Sequence, residues 1–180
     1  VLEHTFRIED ADGNRVYQTR RRGGVQATYV WDGRTDEGGV APDGSYTAEL
    51  RLEFANGDVV RDRSRAIVLD TEAPQISLEA PYLLFSPNGD DRKDRVVIRQ
   101  DSSDERLWEG RIVNDEGEET VSEAWEGEAE RFTWNGKDQY GNSIPDGAYT
   151  YVVSATDRAG NSVRRELGPI RVDTQVTSLY

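Results

Sequence analysis

The sequence predicts an all-β chain of β-sandwich modules in tandem, and three observations carry that expectation. The chain repeats itself: Trp31–Thr71 laid on Trp134–Thr174 runs 41 positions without a gap, and 14 are identical, where composition alone gives roughly two or three. Apolar and polar residues alternate with a period of two along the longer stretches. Turn signals rich in Gly, Pro, Asn and Asp recur about every ten residues, and no stretch shows a sustained helical period with caps.

The elements follow in chain order. Gly13 pairs with Gly117 at an offset of 104. That spacing places the start of the first copy about thirty residues before Val1, so its first strand and the counterpart of 85–94 are expected to be missing. The run TRRRGG at 19–24 is the one basic cluster, and WEGEAE at 125–130 is its acidic counterpart. It reads as a solvated turn between strands, or else as a complementary contact with a neighbouring module. Trp31-Asp32-Gly33 and Trp134-Asn135-Gly136 end strands with a Trp followed by a flexible Gly. Pro42-Asp43-Gly44 and Pro145-Asp146-Gly147 are tight turns in which Pro presets one φ and Gly accepts a positive one.

After each turn comes a long strand. Tyr46, Ala48, Leu50, Leu52 and Phe54 face one side of it in the first copy, as Tyr149, Tyr151, Val153 and Ala155 do in the second. Asn56-Gly57-Asp58 and Ala159-Gly160-Asn161 mark the next hairpin, and IVLD at 67–70 and IRVD at 170–173 are the last strands. Asp70-Thr71-Glu72-Ala73-Pro74 is a short linker restrained by its Pro, which predicts modules set end to end with limited swing. In the second copy strands are expected at 75–80, 94–100, 107–114, 119–125, 130–134, 148–157 and 162–173. Seven strands in about 100 residues is the size of an immunoglobulin-like or fibronectin type III-like sandwich. The modules are therefore 1–71, incomplete at its start, and 72–174. The tail 175–180 opens a further module or covers the open edge of module one in a neighbouring molecule.

Composition narrows the function. Charged residues are 32% and hydrophobic ones 35%, which taken alone fits a disordered chain. The four Trp, eight Tyr and four Phe argue against disorder, because they recur at matched positions. The net charge is −13, and both halves are acidic, so the electrostatic footprint of a nucleic-acid binder is absent. No cysteine is present to build a disulfide or a thiolate metal site. No apolar run is long enough to insert in a bilayer. A chain that opens at Val1 and holds no Met is expected to be an excised or mature piece of something longer.

The run W-[ND]-G-x-x-x-x-G-x-x-x-P-D-G-x-Y-T resembles the Ig-like domain of the flagellar hook-capping protein, the FlgD-type Ig-like domain. The stretch FSPNGDDRKD at 85–94 is similar to the F-S-P-N-G-D-G-x-x-D opening of related bacterial extracellular Ig-like repeats, including those near C-terminal sorting regions. The resemblance implies a non-enzymatic spacer or assembly module of a bacterial extracytoplasmic protein, at the surface, secreted or periplasmic. Its partners would be neighbouring modules or other cell-surface proteins, and a cap-like role would bring self-association. Asp91 stands where that family has Gly, in a loop needing a positive φ.

Candidate chemistry is sparse. Asn88, Asp90 and Asp94 put hard oxygen donors at positions 1, 3 and 7 of a short Gly-containing turn, a spacing calcium accepts, with Asp101 or Asp157 to complete the shell. The competing reading has these side chains bonding the turn's own backbone. No other cofactor is called for. Asp70 and Asp173 match and read as strand ends or linker caps. His4 is the one histidine, so a Ser-His-Asp arrangement would hang on it alone, and no pair of carboxylates stands out for glycoside hydrolysis. The alternative to a spacer is an adhesive or carbohydrate-binding module, which would need Trp108 or Trp125 exposed for stacking.

Overall fold

The computed structural model describes residues 1–175; the tail expected to open a further module or to cover an edge lies, from 176 on, outside them. The chain divides into two compact units, one of Val1–Thr71 and one beginning at Glu72. All regular elements among the described residues are strands, and none of their segments is a helix long and apolar enough to cross a membrane.

Unit 1 holds β1 (Glu3–Glu9), β2 (Arg15–Arg22), β3 (Gly44–Glu53), β4 (Val59–Arg63) and β5 (Ile67–Leu69). They form one antiparallel sheet in the order β2-β1-β3-β4, with β5 paired to the start of β3. Phe6, Ile8 and Tyr46 are buried on one face of that sheet, together with Ala41 from the long connection between β2 and β3. The other face carries the ion pairs Arg7–Glu9, Arg63–Glu9 and Arg63–Glu49 at 2.9–3.1 Å. Among the described residues of unit 1 there is no second sheet. The alternation read along β3 is accordingly blurred: only Tyr46 is buried, and every residue after it is half-buried. The basic run differs from its expected place too. Thr19 to Arg22 belong to β2, where Arg20 is paired with Glu3, and the turn is made by Gly23 at φ 89°.

Unit 2 holds β6 (Ile76–Glu79), β7 (Leu84–Phe85), β8 (Val96–Ser102), β9 (Glu105–Asn114), β10 (Glu119–Gly127), β11 (Phe132–Trp134), β12 (Gly147–Thr156) and β13 (Ser162–Val172). It is a complete sandwich, with one sheet in the order β10-β9-β12-β13-β7 and a second in the order β11-β8-β6. Between them lie Trp108, Trp134, Tyr151, Phe85, Phe132 and Ile98, all fully buried. The predicted strands match to within a residue or two, with one omission. β7 pairs parallel to β13 through Leu84 and Phe85 alone.

Candidate functional site

Each unit builds the same corner from the same bonds. Trp31 Nε1 donates to the carbonyl of Arg34 at 2.7 Å, and Trp134 Nε1 to that of Lys137 at 2.9 Å. Between them the chain turns back on itself: Ala41 N donates to Gly33 O at 2.8 Å, and Ile144 N to Gly136 O at 3.0 Å. The Gly after each Trp sits in the left-handed region, φ 79° at Gly33 and 72° at Gly136. In the Pro-Asp-Gly turns the expected positive φ fails at Gly147, which lies outside that region. The hydroxyl of Tyr149 donates to Pro145 O at 2.9 Å, and Tyr46 makes the same bond to Pro42 O. Burial, with Asp115 and Asp146 nearby, pushes the Tyr149 phenol up; Tyr46 is raised by the same cause beside Asp10 and Asp43.

The Asp of each Pro-Asp-Gly turn has a task that the sequence reading missed. Asp43 accepts from Thr71 N at 3.0–3.1 Å and from its hydroxyl at 2.9 Å, and Asp146 accepts from Thr174 N at 3.0 Å and its hydroxyl at 2.9 Å. The matched Asp-Thr pairs at 70–71 and 173–174 thus repeat for their threonines. Asp173 bonds Gln175 N at 3.0 Å, as a turn cap does. A further device was equally legible. Asp10 with Asn14, Asp138 with Asn142 and Asp157 with Asn161 share one spacing, and in each the Asp takes the Asn amide and backbone N–H groups of its turn. Those bonds, led by the one from the Asn side chain, hold all three carboxyls below the usual aspartate value.

The loop at 86–94 is likewise bonded to itself. Asp94 accepts from Gly89 N and Asp91 N, both at 2.8 Å, Asn88 from Asp90 N at 3.1 Å, and Asp90 from Arg92 N at 2.9 Å. Each of the three candidate ligands therefore spends an oxygen on a backbone N–H. Asp157 is committed to its own hairpin. Among the described residues no group of three or more His, Cys, Asp or Glu is placed to hold a metal ion. Asp91 takes φ 63° and Lys93 φ 54°, so the loop does impose the left-handed conformation at the position where Gly was expected.

The remaining candidates resolve by burial. Trp108 is 0% exposed and Trp125 8%, and both belong to the core of unit 2, so neither offers a face for stacking. His4 is buried, and neither of its nitrogens meets a hydrogen-bond partner among the described residues, so it forms no acid–base relay. Glu9 and Glu49 share a charged groove, but Arg7 and Arg63 occupy their oxygens.

Comparison with known proteins adds to this geometry. Residues 1–61 match the family model of the FlgD Ig-like domain, and residues 79–167 match that of the CHU_C type IX secretion signal domain. The FSPNGD stretch falls within the second match. No curated protein matches the chain. A solved tetra-tandem repeat in the extending region of a large adhesion protein is 21% identical at a TM-score of 0.45, over 96% of this chain and 42% of that one. The amphioxus IgVJ-C2 molecule is 13% identical at a TM-score of 0.35, over 92% and 87%. The chain therefore spans less than half the length of that adhesion-protein structure. Its two segments are similar to two bacterial Ig-like families, the first to the FlgD Ig-like domain and the second to the CHU_C type IX secretion signal domain.

Proposed function

We propose that the chain is a non-enzymatic structural spacer or assembly module of a bacterial extracytoplasmic multi-repeat protein. The observation behind this reading is the corner built twice. The residues that recur at Trp31, Gly33, Pro42, Asp43, Tyr46 and Thr71 close turns by hydrogen bonds within their own unit. Residues kept for binding or catalysis would instead present groups to solvent or into a cleft. Neighbouring modules or other surface proteins are the partners this reading expects, and an assembly role adds self-association, which sedimentation would show.

The match at 79–167 favours a second reading for unit 2, in which the sandwich is itself a secretion signal. One exchange separates the two. In the full protein, produced in a bacterium with type IX secretion, residues 72–174 are replaced by an unrelated sandwich of equal length. A spacer tolerates this, and the protein still reaches the surface. Failure to appear there, together with surface delivery of a reporter fused to 72–174, would overturn the spacer reading for unit 2 in favour of the signal.

A further inference from the structure

β2 and β10 are the outermost strands of equivalent sheets, ordered β2-β1-β3-β4 and β10-β9-β12-β13-β7. The pairs Arg7–Gln18 and His4–Arg21 of unit 1 match Arg111–Ser122 and Trp108–Trp125 of unit 2 at one constant offset. Unit 2 is a complete sandwich and still leaves β10 at its edge, so the edge position of β2 is a property of the module. Part of each edge is closed from within. Asp36 N donates to Val16 O at 3.0 Å, and Asp36 Oδ1 accepts from Gln18 N at 2.8 Å; Gln139 N donates to Thr120 O at 3.1 Å. Alternate residues of an antiparallel edge turn their N–H and C=O outward, so β2 presents those of Arg20 and Arg22 on the side where Gln18 meets Asp36. Ser122 is the counterpart of Gln18, so β10 presents its own N–H and C=O and those of Ala124. Among the described residues no bond outside the ladders takes these groups.

The two open stretches carry opposite charge. Arg20, Arg21 and Arg22 are exposed at the end of β2. Glu123 and Glu126 are exposed on β10, and Glu109 is exposed on β9 opposite Ala124. The constant offset sets Arg22 on Glu126, so one position of the module is basic in unit 1 and acidic in unit 2. Arg20 is paired with Glu3, but Arg22, Glu109 and Glu126 have no ion pair among the described residues. Charges on an edge guard it against its own kind: β2 repels a second β2, and β10 repels a second β10. The same charges favour the one remaining combination, β2 with β10.

We propose that the chain self-associates by edge pairing, with β2 of one molecule added antiparallel to β10 of a second copy. Arg22 stands opposite Ala124, whose small side chain lets the guanidinium reach across to Glu109, and the same register sets Arg20 opposite Glu126. Asp36 closes β2 before Arg20, so the paired stretch is short and its charges decide whether it holds. Main-chain bonds supply the attraction common to all sheet edges, and the charges select the partner. The two surfaces differ, so the contact is heterologous and each copy offers one of each kind. This inference rests on the assembly side of the function proposed above, and names the surface that would serve it.

Sedimentation equilibrium of the whole chain tests it. Association that grows with concentration is expected at an ionic strength of about 0.02 M, and it should weaken about tenfold at about 0.5 M, where surface charges are screened. The double variant Arg20→Glu/Arg22→Glu should weaken it about tenfold or more, and so should Glu109→Arg/Glu126→Arg. All four positions are exposed, and the one bond lost is the surface pair of Arg20 with Glu3, so both variants should fold as the parent does. The second variant brings the net charge of −13 nearer zero, so a bulk-charge effect would strengthen association where edge pairing weakens it. An equal mixture of the two variants should associate again, because each reversed edge then meets its complement, although both chains remain acidic. A parent that is monomeric at every concentration would overturn the proposal and the assembly role together, leaving the spacer reading. Association that survives both reversals would overturn the proposal alone, by assigning assembly to another face. Failure of the mixture to recover would also overturn it.

Discussion

Gly110→Ala should damage unit 2 far more than one methyl group ordinarily does in a strand. Gly110 lies in β9, between β10 and β12 of the larger sheet, and a Cβ built there would stand 2.2 Å from the Tyr151 hydroxyl and 2.8 Å from two atoms of the Trp125 ring. Neither side chain has room to retreat, since both are buried in the core of unit 2. The hydroxyl is also fixed by its bond to Gln100 Oε1 at 2.9 Å. Overpacking of this kind costs about 1–3 kcal/mol, and driving the hydroxyl off Gln100 forfeits about 1 kcal/mol more. Relief of the entropic cost of a strand glycine returns about 0.5–1 kcal/mol. The expected loss is therefore about 1–3.5 kcal/mol, or roughly 4–28 °C in Tm for a unit of this size. Urea unfolding followed by the tryptophan emission of unit 2 measures it. In a Tyr151→Phe background the closest clash is gone, so the same substitution should cost at least about 0.5 kcal/mol less. A Gly110→Ala protein within about 0.5 kcal/mol of the parent, or strict additivity in the cycle, would refute this account of the packing.

Four further outcomes follow from the same bonds. Gly136→Ala should cost about 2–4 kcal/mol, combining left-handed strain with overpacking, because its Cβ would meet Pro87 Cγ at 2.7 Å. Gly33→Ala should cost less, its nearest neighbour being a Leu69 methyl at 3.1 Å; denaturation of the two variants would show equal losses if strain alone decided. Asp91→Gly, at φ 63°, should stabilise unit 2 by about 0.5–1 kcal/mol, since the left-handed penalty outweighs the entropy added to the unfolded chain; a lowered midpoint would contradict it. Asp94→Ala removes the acceptor of two N–H groups and should cost about 1–2 kcal/mol even with chelator present; a loss seen only in millimolar calcium would instead make the loop an ion site. Tyr151 is pushed above the ordinary phenol value, chiefly by burial. A raised folded value means that its contribution is complete below about pH 10 and is lost as pH rises beyond it. Tyr151→Phe should therefore flatten the alkaline fall in stability, and an unchanged slope would count against that assignment.

Much of this architecture was legible because it is written in turns and in a period of two. Trp134, Pro145-Asp146-Gly147 and Tyr149 announce their corner locally, and their recurrence 103 residues earlier confirms the reading without any tertiary knowledge. β7 escaped because Leu84-Phe85 is too short to show a period, and its partner β13 is distant in sequence. Burial of Trp108 and Trp125 escaped for another reason. Both lie near one end of a hairpin, and only the three-stranded sheet with β8 turns that end into an interior. The loop at 85–94 was found, but whether its oxygens turn inward to N–H groups or outward to an ion depends on φ at Asp91 and Lys93, which residue spacing does not encode. His4 was noticed as the one histidine, yet its burial follows from its place in the ladder opposite Arg21 and Leu52, which composition does not encode.

The two units fill equivalent volume from different strands. In the second strand of the sheet unit 1 has Phe6, flanked by Leu50 and Thr19 across the ladders; unit 2 has Gly110 there, flanked by Val153 and Glu123, with the Tyr151 and Trp125 rings reaching over it. The large ring has moved from the middle strand to its neighbours, which is why Gly110 tolerates no Cβ and why Phe6 is accommodated. The corner shows no such exchange: Trp, Gly, Pro, Asp, Gly, Tyr and Thr recur unchanged, each Trp, Asp, Tyr and Thr making the same bond. Volume is additive over neighbouring positions, so a core can be repacked provided the total is kept. A backbone donor in a tight turn has one acceptor within reach, and losing it leaves an unpaired group that nothing nearby replaces. Repetition therefore concentrates where the physics permits no substitute, and the repeated sentence encodes how each unit closes rather than what fills it.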